Sequence, residues 1–273
     1  MISVILVQHN AIDLTRHSIS SLRKFHPAGC EIILVDNASE ESGLDQLLHD
    51  FPEIRVVRNK QNVGFGRANN QASKIAQGSI LFFLNNDTVT TQPFLQMVED
   101  LFAGDRTIGI VGLKLLNADH TFQLSAGGLP TIAREVVDKI IAHLLRNGNR
   151  VMSNIMERQY RFERSVGWVT GAAMFIRKDI FLSVGGFEEE MFMYFEDKDL
   201  CLKVAQRGYA VRYIPQHSLV HLKAGSSTDS LIDSECVYRQ SQICYYRRHR
   251  PRVERLLLRL YLSLTGKHPG KSQ

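Results

Sequence analysis

The sequence predicts an α/β protein in which helices flank a mostly parallel central sheet. Three observations support this prediction. Short apolar runs alternate with helical patterns along the first hundred residues, the apolar runs are continuous, and a short polar segment follows each of them. Continuous apolar runs are typical of strands that are buried on both faces of a parallel sheet. Ligands of such sheets bind beyond the carboxyl ends of the strands, so the polar segments are candidate sites.

The first half of the chain consists of repeated strand–helix units. The helical segments carry apolar residues at spacings of three and four, which is the pattern of one buried helix face. Alternation of strands and helices at this rhythm predicts right-handed βαβ units. We expect strands at 3–7, 31–35, 54–57, 79–84 and 108–116, and helices at 14–25, 42–51, 68–76 and 92–102.

The second half of the chain is less regular. Residues 119–164 are rich in polar turns and contain one helical pattern, at 133–145, so we interpret them as an insertion or a mobile segment. Beyond them we expect a strand at 166–176, helices at 178–184 and 197–206, a strand at 210–214 and a helical region from Ser230.

The composition is that of an ordinary globular protein, but the charge is unevenly distributed. Hydrophobic residues make up 44% and charged residues 22% of the chain, which argues against a disordered, collagen-like or coiled-coil protein. The net charge of +5 combines +7 over residues 245–273, from eight basic residues and one acid, with −2 over the rest. The pI near 9.0 is therefore a property of the tail, and we expect no nucleic-acid partner.

The sequence also carries expectations about compartment and domains. The four cysteines show no CxxC spacing, which favours reduced thiols in a cytoplasmic protein. The N-terminus has no signal-peptide pattern, and no apolar run approaches the ~18 residues of a membrane-spanning helix. We expect one domain over residues 1–250 and a basic, helical C-terminal extension over 251–273.

The segment Asn85-Asn86-Asp87 follows the predicted strand at 79–84. A carboxylate preceded by amides at the end of a buried strand offers the oxygen ligands that Mg²⁺ and Mn²⁺ prefer. The same residue types also start turns, so a simple turn is the alternative interpretation. Asp36, after the strand at 31–35, is placed either to accept hydrogen bonds from a ribose or a base, or to cap a turn.

Residues 59–70 follow the third predicted strand and open a helix. Gly64 and Gly66 permit a tight turn and a close approach of the backbone to a ligand, and a helix N-terminus favours phosphate. The segment is neither a Walker A motif nor a GxGxxG fingerprint, so those two classes of nucleotide-binding protein are disfavoured.

An acidic segment, Glu196-Asp197-Lys198-Asp199, follows an aromatic and Met-rich run. Apolar surroundings raise the pKa of a carboxyl group, as a general base requires, although acids in the first turn of a well-capped helix are the plainer interpretation. His221 lies in an apolar, strand-like run and is either a core histidine or a metal ligand. The chain has no HExxH motif, so a zinc hydrolase is not supported.

These segments together, in this order and spacing, resemble the family 2 glycosyltransferases of GT-A fold, and among them the bacterial rhamnosyltransferase-like enzymes of cell-surface polysaccharide assembly. The resemblance covers roughly residues 2–250. It rests on Val35-Asp36-Asn37-Ala38-Ser39, Asn62-Val63-Gly64-Phe65-Gly66, Asn69-Asn70, Leu84-Asn85-Asn86-Asp87-Thr88, Thr170-Gly171-Ala172, Phe187, Phe195 to Cys201, and His221.

The resemblance implies a nucleotide-sugar-binding half at residues 1–116 and an acceptor and catalytic half at 117–250. Asp36 is then the residue that reads the nucleotide base. An arginine of some relatives aligns with Asn69, so its contact with the diphosphate is either missing here or supplied by Arg67. The donor-binding residues implied are Asn10, Asp36, Gly64, Asn69 and Asn86.

The resemblance also implies a metal and a catalytic base. The resemblance implies that Asp87 and His221 bind Mg²⁺ or Mn²⁺. Asn85 occupies the position in which the DxD motif of the family has its first acid. Asp197 falls in the position of the catalytic base. Trp168, Gly171 and Glu196 fall in acceptor-binding positions.

The implied function is an inverting transfer of a sugar from a nucleotide-diphosphate donor to a hydroxyl group of a lipid-linked or polysaccharide acceptor in bacterial cell-surface glycan synthesis. Rhamnose from dTDP-rhamnose is the first choice, and UDP-GlcNAc, UDP-galactose and UDP-galactofuranose are alternative donors. Because Asn85 replaces an acid, a catalytically inactive nucleotide-sugar-binding module is an alternative function. A nucleotidyltransferase would carry a Gly-rich basic signature near its N-terminus, which residues 8–20 do not provide.

The C-terminal tail combines basic and apolar residues. Arg248, Arg252, Arg255 and Arg259 recur at the spacing of one helix face, and Leu256, Leu257, Leu260 and Leu264 occupy others. Such a helix suits the surface of an anionic membrane, where a polyprenyl-diphosphate-linked acceptor would be found. The alternative is a helix that packs on its own domain. We therefore expect a cytoplasmic protein that is peripheral on the inner face of the cell membrane.

Overall fold

The structure is a computed structural model and describes residues 1–222 and 234–265. Its strands are β1 (Ile2–Gln8), β2 (Cys30–Asp36), β3 (Arg55–Arg58), β4 (Ile80–Leu84), β5 (Thr88–Thr90), β6 (Ile108–Leu116), β7 (Phe122–Gln123), β8 (Ala126–Gly127), β9 (Arg164–Ser165), β10 (Trp168–Val169), β11 (Ala173–Arg177) and β12 (Ala210–His221). Its helices are α1 (Ile12–Phe25), α2 (Leu44–Asp50), α3 (Phe65–Ile75), α4 (Leu95–Gly104), α5 (Ile132–Arg146), α6 (Arg150–Gln159), α7 (Lys178–Ser183), α8 (Glu196–Gln206), α9 (Ser234–His249) and α10 (Arg252–Leu264).

The central sheet has the strand order β3-β2-β1-β4-β11-β6-β12-β5. Strands β3, β2, β1 and β4 are parallel to one another, and β12 is parallel to β6. Strand β11 lies between β4 and β6 and is antiparallel to both. The predicted α/β fold with a mostly parallel central sheet is confirmed, and all five strands predicted in the first 116 residues are present.

The two faces of the sheet build two separate cores, because successive strand residues point to opposite sides. In β4, Phe82 and Leu84 pack with side chains of α1, α2 and α4. Leu81 and Phe83 pack on the other side with side chains of α3, α7 and α8. Burial on both faces explains why these strands are continuous apolar runs in the sequence.

The segment at 119–164 packs against the domain more than the sequence indicated. The predicted helix is confirmed as α5, but α6 and the short strands β7 and β8 were not predicted. Met156 on α6 and Tyr160 just after it are buried in the second core. Of its own side chains α6 buries Met156 alone, and the helix is short and polar on average, so the sequence around it reads as part of a polar segment.

The prediction of one continuous strand at 166–176 was wrong. Two strands, β10 and β11, are separated by a turn at 170–172. The amide of Thr170 donates to Ser125 (2.9 Å), and the amide of Ala172 lies 3.3 Å from Oγ1 of Thr170. The first bond extends the pairing of β10 with β8 and the second is local to the turn, which brings Gly171 to the cavity.

The strand predicted at 210–214 is much longer than expected. Strand β12 runs to His221, with an irregularity in its pairing to β6 between Ile214 and Ser218. Beyond it, Leu219, Val220 and His221 pair with β5, and His221 is opposite Thr88. This pairing carries His221 to the residues that follow β4.

The C-terminal helices correct the predicted stripe of four arginines. The prediction that Arg248 to Arg259 lie on the face of a single helix was wrong, because α9 ends at His249 and α10 begins at Arg252. Pro251 lies between the two helices and lacks the amide hydrogen that helix continuation requires. Leu258 and Leu262 pack α10 on the domain, together with Tyr245 and Tyr246 of α9. Residues 230–233 of the predicted helical region lie outside the described residues.

Candidate active site

A cavity of about 340 Å³ lies where the carboxyl ends of β1, β2 and β4 meet the N-termini of α3 and α8. Its walls combine polar side chains at the strand ends with aromatic residues from 192–195. Of the predicted site residues, Gly64, Asn86, Asp87, Gly171, Glu196, Asp197 and His221 line this cavity.

Asparagine side chains link the strand ends at one wall of the cavity. The buried Asn37 donates from Nδ2 to Oδ1 of Asn62 (2.7 Å), and its own Oδ1 accepts from Nδ2 of Asn59 (3.0 Å) and from the amide of Val63 (3.1 Å). Asn62 in turn accepts from the amide of Gly64 (3.0 Å). The loop after β3 is therefore fixed to the end of β2.

Asp36 and Asn10 lie beside this wall rather than in it. Asp36 is buried, and its Oδ1 accepts from Nε2 of Gln8 at 2.6 Å and from the amide of Ser39 at 3.3 Å. Asn10 has a left-handed backbone (φ 49°), and its Oδ1 accepts from the amide of Glu40 at 2.8 Å. Each of the two is adjacent in sequence to a residue that lines the cavity, Asn37 and His9 respectively.

Gly64 joins the two halves of the cavity. Its φ of +83° is in the region that favours glycine, and a Cβ there would lie 2.4 Å from the carbonyl oxygen of Phe192. The next amide, that of Phe65, donates to the same oxygen at 2.8 Å. The start of α3 therefore packs directly against the loop that leads into α8, and only a residue without a side chain fits.

Two residues of α3 have internal roles instead of cavity positions. Asn69 is buried and donates from Nδ2 to the carbonyl of Phe65 (2.9 Å). Nε of Arg67 lies 3.0 Å from Oε2 of Glu189, and both side chains are 46% exposed. Neither side chain lines the cavity, so the described structure gives no support to a direct diphosphate contact from either residue.

The opposite wall holds an Asp–His pair. Nε2 of His221 lies 3.1 Å from Oδ1 of Asp87 and 3.3 Å from the side-chain amide nitrogen of Asn85. Nδ1 of the same ring lies 2.8 Å from the amide nitrogen of Gln123. Sequence reasoning missed Gln123, because it lies on the two-residue strand β7 and belongs to no recognisable motif.

These residues fit a hard divalent cation in part. A carboxylate and a neutral imidazole are both ligands that Mn²⁺ accepts, but within the described ranges no group of three or more His, Cys, Asp or Glu side chains could hold a metal. Oε1 of Gln123 is buried without a partner. Rotation of that amide would let the oxygen accept from Nδ1–H of His221, which leaves Nε2 free to bind a cation.

Helix α8 begins with an unusual backbone. Tyr194 (φ 72°) and Phe195 (φ 65°) are both left-handed, a conformation that costs of order 1–3 kcal/mol per non-glycine residue. Phe195 is buried and packs against Tyr238 and Tyr245 of α9. This packing holds the turn, which places Glu196 and Asp197 in the first turn of the helix and at the cavity.

The two acids differ in environment. Burial, together with the neighbouring Asp197, raises the pKa of Glu196 to about 8. Asp197 is half-buried, and its carboxylate accepts from the amide of Lys198 (2.8 Å) and from the amide of Gly171 (3.3 Å). These two amides orient the Asp197 carboxylate at the wall of the cavity.

Trp168 lies behind the cavity rather than in its lining. Its ring is buried, and Nζ of Lys198 lies 4.9 Å from the ring centroid and 4.5 Å from that of Phe195. Lys198 itself lines the cavity beside Asp197. Sequence analysis did not assign Lys198 a role, because a lysine in a helix is usually a solvated charge.

The first turn of α8 is anchored from behind. Asp199 is fully buried, and its Oδ1 lies 2.6 Å from Nε2 of His249, at the end of α9. Nζ of Lys203 lies 3.0 Å from the other carboxylate oxygen. Burial by itself would raise the pKa of Asp199, but the hydrogen bonds from His249 and Lys203 hold it below its usual value.

The arrangement of the cavity residues agrees with a comparison to known protein families. The sequence profile of Glycosyl transferase family 2 matches residues 3–181. The chain belongs to glycosyl transferase family 2. This match covers β1 to α7 and includes the strand ends, the Gly64 turn and Asp87, and it makes the protein a glycosyltransferase.

Several relatives of this chain are named rhamnosyltransferases. The N-acetylglucosaminyl-diphospho-decaprenol L-rhamnosyltransferase of Mycobacterium tuberculosis is 26% identical over 207 residues, which is 72% of this chain and 67% of that protein. The dTDP-rhamnosyl transferase RfbF of Shigella flexneri is 24% identical over 196 residues, which is 70% of this chain and 60% of RfbF.

Solved structures show the same fold. S. aureus TarS in complex with UDP-GlcNAc superposes with a TM-score of 0.65 at 14% identity, over 99% of this chain and 73% of that one. GalNAc-T7, crystallised with UDP, GalNAc and Mn²⁺, has a TM-score of 0.63 at 17% identity, and the match covers 89% of this chain and 48% of that one. This family 2 member therefore has a GT-A-like fold.

Proposed function

We propose that this protein is an inverting glycosyltransferase that moves a sugar from a nucleotide-diphosphate donor to a hydroxyl group of a glycan acceptor. The observation that carries the proposal is that Asp87, His221 and Asp197 line one cavity. Asp87 and His221 form its diphosphate side, and Asp197 forms its acceptor side. A transfer needs both a site for the leaving diphosphate and a base for the incoming hydroxyl group.

Asp197 is the proposed catalytic base. Its carboxylate takes the proton from the acceptor hydroxyl group as that oxygen forms a bond to the anomeric carbon of the donor. The bond between the anomeric carbon and the diphosphate breaks, and the nucleoside diphosphate leaves with the electron pair. A single displacement of this kind inverts the configuration at the anomeric carbon. Glu196 stays protonated over much of the neutral range and is proposed to donate a hydrogen bond to the acceptor.

Asp87 and His221 are the proposed metal ligands, with Mg²⁺ or Mn²⁺ as the cation. When bound, the cation would stabilise the negative charge of the leaving diphosphate as a Lewis acid. Asn85 next to His221 offers an amide in place of a second carboxylate. GalNAc-T7 was crystallised with Mn²⁺, which supports a divalent cation in this fold.

The proposed donor is dTDP-rhamnose, with Asp36 at the base, and the proposed acceptor is linked to a polyprenyl diphosphate. Two relatives support this choice, since one is named a dTDP-rhamnosyl transferase and the other acts on a diphospho-decaprenol. UDP-GlcNAc, UDP-galactose and UDP-galactofuranose are the alternative donors, and the UDP-GlcNAc complex of TarS favours keeping UDP-GlcNAc among them.

We further propose that the C-terminal helix α10 places the enzyme on the cytoplasmic face of an anionic membrane. Within the described ranges no helix is long and apolar enough to span a bilayer. Exposed leucines on α10, among them Leu256 and Leu264, support an interfacial position.

The activity is tested by titration calorimetry of the full chain against dTDP-rhamnose, UDP-GlcNAc, UDP-galactose and UDP-galactofuranose, each with and without Mn²⁺. NMR of the product's anomeric proton then reports the configuration of the new bond. We expect one donor to bind tightly in the presence of Mn²⁺ and the product to have the inverted configuration. A retained configuration would overturn the mechanism, and the absence of binding by every donor would overturn the enzyme proposal.

A pair of variants separates catalysis from binding. Asp197→Asn should keep the donor affinity and lower the transfer rate by at least about 10²-fold, which is the low end of what a general base contributes. Asp179→Asn, on the surface at the start of α7, is the matched control and should leave the rate unchanged. Donor binding without transfer by the native chain would instead support the inactive binding module.

A further inference from the structure

Exposed apolar side chains are concentrated in two parts of the chain. Fifteen large apolar side chains are exposed among the described residues, and three of them, Met1, Ile75 and Leu182, lie apart. Six are on α5, α6 and the turn after them, and six are on α10. The twelve are Val136, Val137, Ile140, Val151, Ile155, Phe162, Val253, Leu256, Leu257, Leu260, Tyr261 and Leu264. A concentration of this size marks an interaction surface.

Helices α5 and α10 lie side by side, so their exposed faces adjoin. Nζ of Lys139 on α5 lies 5.6 Å from the ring centroid of Tyr261 on α10. Val136 and Ile140 are one helical turn apart on α5 and flank the position of Lys139. We call the combined surface the α5–α10 face; its apolar residues are Val136, Val137, Ile140, Leu256, Leu257, Leu260 and Leu264.

The exposure on α10 is not caused by a failure of this helix to pack. Leu258 and Leu262 are 4% and 0% exposed, respectively, and hold the helix on α9. Leu256 and Leu264 on the far side are 59% and 86% exposed. The helix therefore presents one apolar side to its own domain and a second apolar side to the surroundings.

The charges beside this face are positive and unpaired. Arg247, Arg248 and Arg250 form ion pairs with Glu190, Glu188 and Glu254. In contrast, no carboxylate oxygen within the described part of the chain lies within 4.0 Å of a guanidinium nitrogen of Arg252, Arg255 or Arg259, all on α10. The arginines without a carboxylate partner are those of the helix that exposes leucines, and their charge is complementary to an anionic surface.

The α5–α10 face begins beside the cavity. The guanidinium group of Arg134, in the first turn of α5, occupies the space that a side chain at Gly128 would need. The adjacent Gly127 packs against the ring of Trp168, which lies beneath Lys198 of the cavity wall. An acceptor sugar in the cavity would therefore be close to whatever the face binds.

We infer that helices α5 and α10 together form one surface that lies on an anionic lipid bilayer, with the apolar residues of α5 inserted beside those of α10. This inference rests on the membrane position proposed for α10 and extends it to a helix outside the basic tail. Apolar side chains supply interfacial binding, and the unpaired arginines of α10 supply attraction to anionic headgroups.

The test is co-sedimentation of the full chain with vesicles of phosphatidylcholine, alone or mixed with phosphatidylglycerol. The variant pair Val136→Ser/Ile140→Ser on α5 is expected to bind the mixed vesicles about tenfold more weakly than the native chain, as Leu256→Ser/Leu260→Ser on α10 should. Leu182→Ser, an equally exposed residue on α7, is the matched control and should bind like the native chain. Circular dichroism verifies that each variant is folded.

The outcomes separate this inference from the proposed activity. The role of α5 would be overturned if the Val136→Ser/Ile140→Ser variant bound vesicles like the native chain and only the Leu256→Ser/Leu260→Ser variant lost binding. Absence of vesicle binding together with a dimer in analytical ultracentrifugation, abolished by the same variants, would show that a second copy covers the face instead. Transfer to a water-soluble acceptor should be unchanged in all these variants, so a failure of that assay in the native chain concerns only the proposed function.

Discussion

Nε2 of His221, at the end of β12, lies 3.1 Å from Oδ1 of Asp87, which follows β4. The two residues are 134 positions apart in the chain, and the pairing of β12 with β5 brings them together. The imidazole is held on its other side by Gln123. This pair is the part of the cavity that could hold a cation.

Loss of either proposed ligand, Asp87 or His221, is expected to weaken Mn²⁺ binding. Removal of a residue that merely orients a ligand costs about 10–100-fold in affinity, so Asp87→Asn and His221→Ala should each cost at least about 100-fold, and Gln123→Met about tenfold. The measurement is Mn²⁺ titration by electron paramagnetic resonance with dTDP or UDP present. His217→Ala, on the same strand but outside the cavity, should bind Mn²⁺ like the native chain. Equal affinity in all four variants would disprove the assignment.

The buried carboxyl group of Glu196 is expected to make stability pH-dependent. Its pKa is about 8 in the folded protein and 4.5 in the unfolded chain, so the folded state keeps a proton in this range that the unfolded state releases. The free energy of unfolding therefore falls as the pH rises from 4.5 to about 8.

Glu196→Gln should remove this dependence. Relative to the variant, the native chain should lose at least about 1.4 kcal/mol of unfolding free energy across the range, which corresponds to one unit of pKa difference. Urea denaturation at several pH values measures it. Glu157→Gln, exposed on α6, is the control and should follow the native curve. A constant difference between the native chain and Glu196→Gln would contradict the prediction.

The Gly64 position can be tested against a glycine of the same conformation. Gly64 and Gly185 have φ values of +83° and +82°, but a Cβ at Gly185 would have no neighbour within 4 Å. Gly185→Ala should therefore cost only the conformational term, about 1–3 kcal/mol. Gly64→Ala must also displace Phe192, so it should destabilise the protein more and weaken donor binding. Chemical denaturation and donor titration measure both effects, and equal losses would refute the role of the Phe192 contact.

The buried contact between Asp199 and His249 is expected to stabilise helix α8. His249→Ala removes a hydrogen bond to a charged group and should cost about 1.5–3 kcal/mol of unfolding free energy. Because the pKa of Asp199 is lowered, this contribution is present above its ordinary value of 3.8 and is lost as the pH falls below it. Arg247→Ala removes an exposed ion pair on the same helix and should cost less than about 1 kcal/mol. Similar costs for the two variants would contradict the prediction.

Local pattern was sufficient for most of the parallel sheet. Strands buried on both faces must be continuous apolar runs, so β1 to β4 were recognisable without tertiary information. Turn residues at their ends are also local signals, and Asp87 and Gly64 both line the cavity as expected. Helix α6 was not predicted because it is short and polar on average, although its few apolar residues do recur at helical spacing.

Residue type alone did not decide which polar residues reach the cavity. Asn69 belongs to a motif that resembles one of the family, and Trp168 was predicted to bind the acceptor, yet both are buried away from the cavity lining. Gln123 belongs to no motif, and Lys198 was given no role within its motif, yet Gln123 holds His221 and Lys198 lies beside Asp197. The direction of a side chain depends on the packing of the element that carries it, which a motif does not contain.

The sequence by itself determined the α/β class, the family and the location of the site at the strand ends, because all three follow from residues that are close together in the chain. The tertiary structure decided that His221 meets Asp87, that His249 anchors the helix of Asp197, and that α5 shares a face with α10. Each of these relationships joins segments that are distant in sequence. Such contacts depend on strand register and helix packing, which are properties of the whole fold.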